Sequence, residues 1–161
     1  MAITKEKKKK VLDSLKGIFE NSKSVVFVNF KGLNVEQASL LRRDLKQSEV
    51  GYKVAKKTLV KKTLSEVQFS GDLPPLEGEL SLAFGDDLIE PARKIFSFSK
   101  KIDGKISIIG GIFDGVFMDR EKMTDIAQIP GRETLYAQFV NIINFPIQGL
   151  AVALSKISEK K

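Results

Sequence analysis

Apolar positions recur with two distinct periods along the chain, and the alternation between them sketches a mixed fold. From Thr4 to Glu20, Val11, Leu12, Leu15, Ile18 and Phe19 fall on one face at helical spacing, with Thr4 placed as a candidate N-cap of a helix whose first half is very basic. Ser24 to Phe30, SVVFVNF, is short, β-branched and aromatic, which predicts a buried strand ended by Gly32. Asn34 and Gln37 have the spacing of a capping box, and Val35, Ala38, Leu41 and Leu45 continue as a second helical stripe. Val50 to Ala55 predicts a strand, and Thr58 to Val67 a short helix with Leu59, Val60, Leu64 and Val67 inward and Lys61 and Lys62 outward. The acidic, proline-bearing GDLPPLEGE, Gly71 to Glu79, is a connecting loop.

The pattern then repeats. Leu80 to Phe84 predicts a strand, Leu88 to Phe98 a helix started by Asp87 and Glu90, and Lys105 to Ile109 another strand. A hairpin-like IFDGVFM, Ile112 to Met118, and a helix near Asp119 to Ile129 follow. Two βαβ units in succession predict an α+β fold with a ferredoxin-like split arrangement, an added N-terminal helix and a C-terminal helical tail. Antiparallel packing of the units on one sheet places the helix stripes on one side. The expected division is residues 1–130 as an α/β domain and 131–161 as the tail.

That tail differs in kind. Thr134 to Ser155 contains no charged residue, a length that could span a bilayer. Gln138, Asn141, Asn144, Pro146, Gln148 and Gly149 scatter polar and helix-breaking groups through it, which argues against a membrane span. Two helices joined near Asn144 to Pro146 are expected, the second starting at Pro146 and presenting Ile147, Leu150, Ala151, Leu154 and Ile157 on one stripe. Such a stripe either folds back on the core or docks partner helices.

Charge and composition narrow the chemistry. The 161 residues contain no Cys, His or Trp, which removes disulfides, thiolate metal sites and histidine-based catalysis. No secretory signal is legible at the start, because the basic run Lys5 to Lys10 leads into an apolar stretch broken by Asp13 and Lys16; a cytoplasmic protein is expected. The net charge of +7 is unevenly placed: residues 1–70 carry 16 basic and 7 acidic side chains, residues 71–161 carry 11 and 13. A basic front half points to a polyanion, with nucleic acid first and mere solubility as the bland alternative. Neither GxxxxGK[ST] nor GxGxxG occurs, so nucleotide hydrolysis is not expected, and Asp86 and Asp87 read as a helix start better than as an acid–base pair. No catalytic residue, metal site or cofactor is predicted.

The densest cationic element is KVAKKTLVKK, where Lys53, Lys56, Lys57, Lys61 and Lys62 fall within ten residues at a strand–helix junction. Lysines at a helix start oppose the helix dipole unless an anion sits there, and a phosphate resolves the conflict. Thr58 is placed either to cap the helix or to donate to the same phosphate oxygens. Lys31 beside Gly32, and Arg42 and Arg43 on the outer side of the preceding helix, extend the patch; a solvated charged face is the alternative. Only Tyr52 is available for stacking nearby, so a folded RNA read by shape and phosphates fits better than a single strand.

Phe30 to Lys62, FKGLNVEQASLLRRDLKQSEVGYKVAKKTLVKK, resembles the bacterial large-subunit ribosomal stalk base family, that of the tenth large-subunit protein. Its V-x-K-N-T-L element is met by Val54-Ala55-Lys56-Lys57-Thr58-Leu59, with Lys57 in place of the usual Asn. The passages GIFDGVFMDREKMTDIAQIPGRETLYAQFV and FPIQGLAVAL, Phe145 to Leu154, are similar to later family segments, so the resemblance covers nearly the whole chain. It implies an adaptor that binds large-subunit rRNA beside the eleventh large-subunit protein and carries dimers of the acidic stalk protein, which recruit translational GTPases. It further implies repression of its own messenger. Carried over, RNA contacts centre on Gly32, Leu33, Arg42, Lys53, Lys56 and Thr58 with the nearby lysines, and the docking stripe is Ile147, Leu150, Ala151, Leu154 and Ile157, with two dimers expected from the tail's length. The rivals are an unrelated basic RNA-binding regulator with a ferredoxin-like core, and an enzyme with a pocket lined by Asp86, Asp87 and Asp114.

Overall fold

The computed structural model describes residues 5–67, 69–71, 73–76, 78–102 and 105–159. The candidate cap Thr4 lies outside them. The chain divides into two compact units, Met1–Ile129 and Pro130–Lys161.

In the first unit, β1 (Ser24–Asn29), β2 (Gly51–Val54), β3 (Leu80–Gly85), β4 (Ser107–Phe113) and β5 (Val116–Asp119) form one sheet in the order β2-β3-β1-β4-β5. Every pairing between them is antiparallel. The first four strands thus have the ferredoxin-like split βαβ arrangement, with α2 (Val35–Gln47) and α4 (Glu90–Lys101) as its crossover helices. The central strand β1 is apolar from Val25 to Val28 because both of its faces are covered. Val26 and Val28 pack with Leu41 and Leu45 of α2, Ile95 and Phe98 of α4, and Met123 and Ala127 of α5 (Arg120–Gln128). Val25 and Phe27 point the other way, toward Leu15 and Phe19 of α1 (Lys5–Asn21) and Val60 and Leu64 of α3 (Lys57–Glu66). The two crossover helices share a face, as expected, but the stripes of α1 and α3 lie on the opposite one. The sheet is therefore sandwiched between helices, and an apolar run such as SVVFV is the sequence mark of a strand buried on both faces.

Two departures from the expected element boundaries change the architecture. β4 runs on through Gly110-Gly111 into the hairpin instead of stopping at Ile109. A Cβ on Gly111 would lie 2.6 Å from the Val25 carbonyl oxygen and 2.7 Å from Met123 Cε, so glycine is what lets β4 lie against β1 beneath α5. The hairpin turns on Asp114 and Gly115, with φ of 49° and 78°, as a two-residue Asp-Gly turn demands, and β5 adds a fifth strand.

The second difference lies in the second unit. Arg132–Glu159 is one continuous 28-residue helix, α6, with Pro146 inside it and not at a first turn. Pro146 removes one rung of the hydrogen-bond ladder. On a helix whose described side chains, Arg132 to Ser158, are all exposed, the carbonyl left behind is open to water, so the helix continues past the proline.

Candidate nucleic-acid interface

Strand register determines which loops share an end of the sheet. Asn29 is paired with Leu80 on one side and Ser107 on the other, and Val54 with Ser81. The ends of β1 and β2 and the starts of β3 and β4 therefore lie together. The turn after β1, Phe30 to Leu33, is closed by the Leu33 N–H donating to the Phe30 carbonyl at 3.4 Å, and the Lys31 N–H donates to Asn29 Oδ1 at 3.2 Å. Gly32 has φ +84°, and a Cβ there would meet nothing within 4 Å, so its requirement is purely conformational. Leu33 tucks back against the core, leaving Lys31 and Gly32 exposed.

Beside this turn starts α3. Its N-cap is Lys56, without a side-chain cap, and no acid occupies the first turn. Thr58 is not the cap: it is the second helical residue and exposed, because the chain enters the helix one residue earlier than its sequence suggests. The Lys56 carbonyl accepts from Leu59 N at 2.9 Å and Val60 N at 3.1 Å, the first bonds of the helix. A helix start with lysines and no carboxylate concentrates positive charge on one exposed corner. Lys56 and Lys57 line a shallow open cleft with Phe30, Val54, Gly78 and Glu79, so the two elements share a wall; Glu79 is the acid in it. Inward, Val60, Thr63 and Leu64 are buried, while Lys61 and Lys62 remain exposed. The far end of α3 is held by the 2.5 Å ion pair of Glu66 with Lys16 of α1, which lowers the Glu66 pKa and raises that of Lys16.

The remaining predicted residues are not all gathered at this corner. Tyr52 and Lys53 are consecutive in β2 and face opposite sides of the sheet. Lys53 Nζ donates to Ser14 Oγ of α1 at 2.6 Å, and Arg42 of α2 lies over the Tyr52 ring at 5.9 Å on the other side. Burial raises the Tyr52 pKa, partly countered by a hydrogen bond with Ser81 and by the Arg42 charge. Arg43 is exposed on α2. Sequence reading missed Lys100 and Lys101, in the last turn of α4, and Lys105, just before β4. Their signal is topological: a split βαβ fold returns its second crossover helix to the end where its first strand finishes.

Elsewhere the carboxylates part company. Asp86 and Asp87 border a cleft with Glu49 and Glu90 at the opposite end of the sheet. Asp87 Oδ1 accepts from Ile89 N at 2.9 Å and Glu90 N at 3.2 Å, the geometry of a helix start. Asp114 sits in the β4–β5 turn and does not line that cleft. Among the described residues no group of three or more acidic side chains could hold a metal ion.

α6, taken by itself, is apolar enough and long enough to cross a membrane, by length and composition alone. Seven of its twelve exposed large apolar side chains form an ordered series, and Leu135, Phe139, Ile142, Phe145 and Val152 lie off it. Tyr136, Val140, Ile143, Ile147, Leu150, Leu154 and Ile157 recur at alternating steps of three and four, a heptad seam that passes straight through Pro146 and takes in most of the predicted stripe. Gln138, Asn141, Asn144, Gln148 and Ser155 lie off the seam.

Residues 3–100, which include both the Phe30–Leu33 turn and the whole of α3, match the family model described as ribosomal protein L10. The chain belongs to the ribosomal protein L10 family. Relatives extend the match to nearly the whole chain. The large ribosomal subunit protein uL10 of Shouchella clausii is 33% identical over 157 residues, covering 97% of this chain and 94% of the relative. That of Clostridioides difficile is 35% identical over 96% of this chain and 93% of its own length, and that of Symbiobacterium thermophilum 37% identical over 96% and 88%. L10 proteins are structural components of the large ribosomal subunit and not enzymes, so Asp86, Asp87 and Asp114 have no catalytic role to fill, and an RNA-binding regulator unrelated to the ribosome is displaced.

Proposed function

We propose that this chain binds large-subunit rRNA at the base of the lateral stalk and carries acidic stalk protein dimers on α6, working in the cytoplasm on the large ribosomal subunit. The observation that carries the RNA half is the convergence of the Lys31-Gly32 turn with the uncapped, lysine-bearing start of α3 at one end of the sheet. Backbone phosphates supply the charge that this helix start lacks, Thr58 is free to donate to the same oxygens, and Lys61 and Lys62 continue the contact along α3. Arg42 and Arg43 extend it over α2, and Lys53 over the α1 side. Among the described residues of the first unit no large aromatic side chain is exposed, which favours a folded RNA recognised by shape.

The second half rests on the seam of α6, which presents apolar side chains at helical spacing to a helical partner. Two acidic dimers, bound in part through Ile147, Leu150, Ala151, Leu154 and Ile157, recruit translational GTPases indirectly, while the first unit sits beside the eleventh large-subunit protein. Binding of a similar RNA shape in its own messenger accounts for translational autoregulation. The polar side chains flanking the seam suit a helix in water with a protein partner better than one in a bilayer.

Salt titration tests the RNA half. If five lysines each neutralise a phosphate, log affinity falls with log salt at a slope of about −3 to −5, and replacing Lys56, Lys57, Lys61 and Lys62 with Gln makes the slope shallower by about 3. Unchanged affinity and slope for a stalk-base rRNA transcript would remove this corner from the interface.

A further inference from the structure

The same end of the sheet carries a second cationic group on the far side of β1. α4 leaves β3 at one end and delivers the chain to β4 at the other, so Lys100, Lys101 and Lys105 arrive where β1 and β2 finish. All three are exposed, and no ion pair involves them among the described residues. The Lys100 ammonium lies over the Phe96 ring at 4.6 Å. The dipole of α4 accounts for lysines in its last turn, but Lys105 stands beyond the helix and owes nothing to it. Lys31 and Lys105 each lie two residues beyond the Asn29–Ser107 pair, one on each side of the β1–β4 ladder.

Carboxylates gather at the opposite end. Glu49, Asp86, Asp87 and Glu90 border one cleft there, and Asp114 occupies the neighbouring hairpin turn. Glu90 is ion-paired with Arg93 and Lys94, but the other carboxylates leave this end less favourable to a polyanion than the lysine-rich one. From β2, which leads into α3, to β4 is three strand spacings, about 14 Å.

We propose that Lys100, Lys101 and Lys105 form a second row of phosphate contacts, joined to the α3 corner through Lys31, and that the RNA presents two separate backbone segments to this end of the sheet. The inference rests on the rRNA-binding reading above and adds the width of the footprint. A single extended strand following α3 does not need the second row; a folded RNA with two backbones side by side engages both.

The test measures salt-dependent binding of the full chain to a transcript of the stalk-base segment of large-subunit rRNA, with poly(U) of equal length as reference. The variant carries Lys100→Gln, Lys101→Gln and Lys105→Gln, and the control carries Lys23→Gln and Lys46→Gln at the acidic end. The expected result is a log–log slope shallower by about 2 to 3 for the triple variant on the transcript and an unchanged slope for the control. The loss should also add, in log affinity, to that of the Lys56, Lys57, Lys61 and Lys62 variant. An unchanged slope for the triple variant, while the α3 variant loses its own, overturns the second row and leaves the first intact. An equal change per lysine in the control also overturns it, because net charge and not contact would then be responsible. If the unmodified chain binds the transcript no better than poly(U), the rRNA reading falls, and this inference with it.

Discussion

At the scale of residues, the corner proposed to meet RNA is shaped by two exceptions to ordinary side-chain preference: a glycine held at positive φ and a lysine at an N-cap. Gly32 was legible as the end of β1 and KVAKKTL as a cationic strand–helix junction, but the cap itself was not, since Thr58 and not Lys56 has the residue type expected there. Less visible was where Lys53 and Arg42 point, since that depends on which face of β2 each neighbour takes; the ring of Tyr52 goes to the α2 side, and Lys53 is thereby turned to Ser14. The pair Lys16–Glu66 clamps α1 to the far end of α3 and gives a titratable handle on that helix. Its carboxyl is held below its ordinary pKa by the hydrogen bond with Lys16, so the clamp is complete above the unfolded carboxylate's pKa, about 4, and is lost as pH falls through the lower folded value. Lys16, raised by the same bond, keeps the clamp until pH climbs through its own folded pKa, above about 10. Glu66→Gln should therefore lower the unfolding temperature slightly at pH 7, by no more than an exposed pair allows, and match the unmodified chain in strong acid. Thermal unfolding followed across pH would show the two curves converging; parallel curves would mean that the pair contributes nothing.

At the scale of elements, legibility tracked how local the cause was. β1, the Asp-Gly hairpin and the Asn34–Gln37 helix start were readable because each is dictated by a few adjacent residues, and the Gln37 side chain does accept from the Asn34 N–H at 3.3 Å. The placement of α1 and α3 on the second face of the sheet was not, since a stripe says that a helix buries one side and not against what. α6 was read as two helices because proline is normally a terminator, yet no glycine or cap adjoins Pro146 to finish a helix there, and the heptad seam keeps its phase across it. A proline in a helix interior costs about 3 kcal/mol, so α6 is marginal in isolation and its helix content is limited by that one position. In a peptide of residues 130–161, Pro146→Ala should raise helicity by far-UV circular dichroism by a large fraction. Equal helicity in the two peptides would show that the chain breaks near Asn144 for another reason, as the sequence had suggested.

At the scale of the whole molecule, the division of labour follows from where apolar surface is buried and where it is not. Both core clusters of the first unit are closed by its own residues, from Val11 to Ala127, whereas in α6 Phe139, Ile143, Ile147, Leu150 and Leu154 are each more than half exposed. An exposed apolar seam in one unit and a closed core in the other are what the proposed adaptor needs if its two binding tasks are to be separable. Deleting Phe145 to Lys161 takes away four of the seven seam residues and nothing from either core. The shortened chain should unfold at the same temperature as the full one and bind the stalk-base transcript with the same affinity and salt slope, while its complex with a matching acidic stalk protein disappears. Light scattering gives the stoichiometry directly: the full chain should form a complex with four acidic copies and the shortened chain should stay monomeric. Loss of RNA binding on deletion would make α6 part of the RNA interface and join the two proposed tasks in one element.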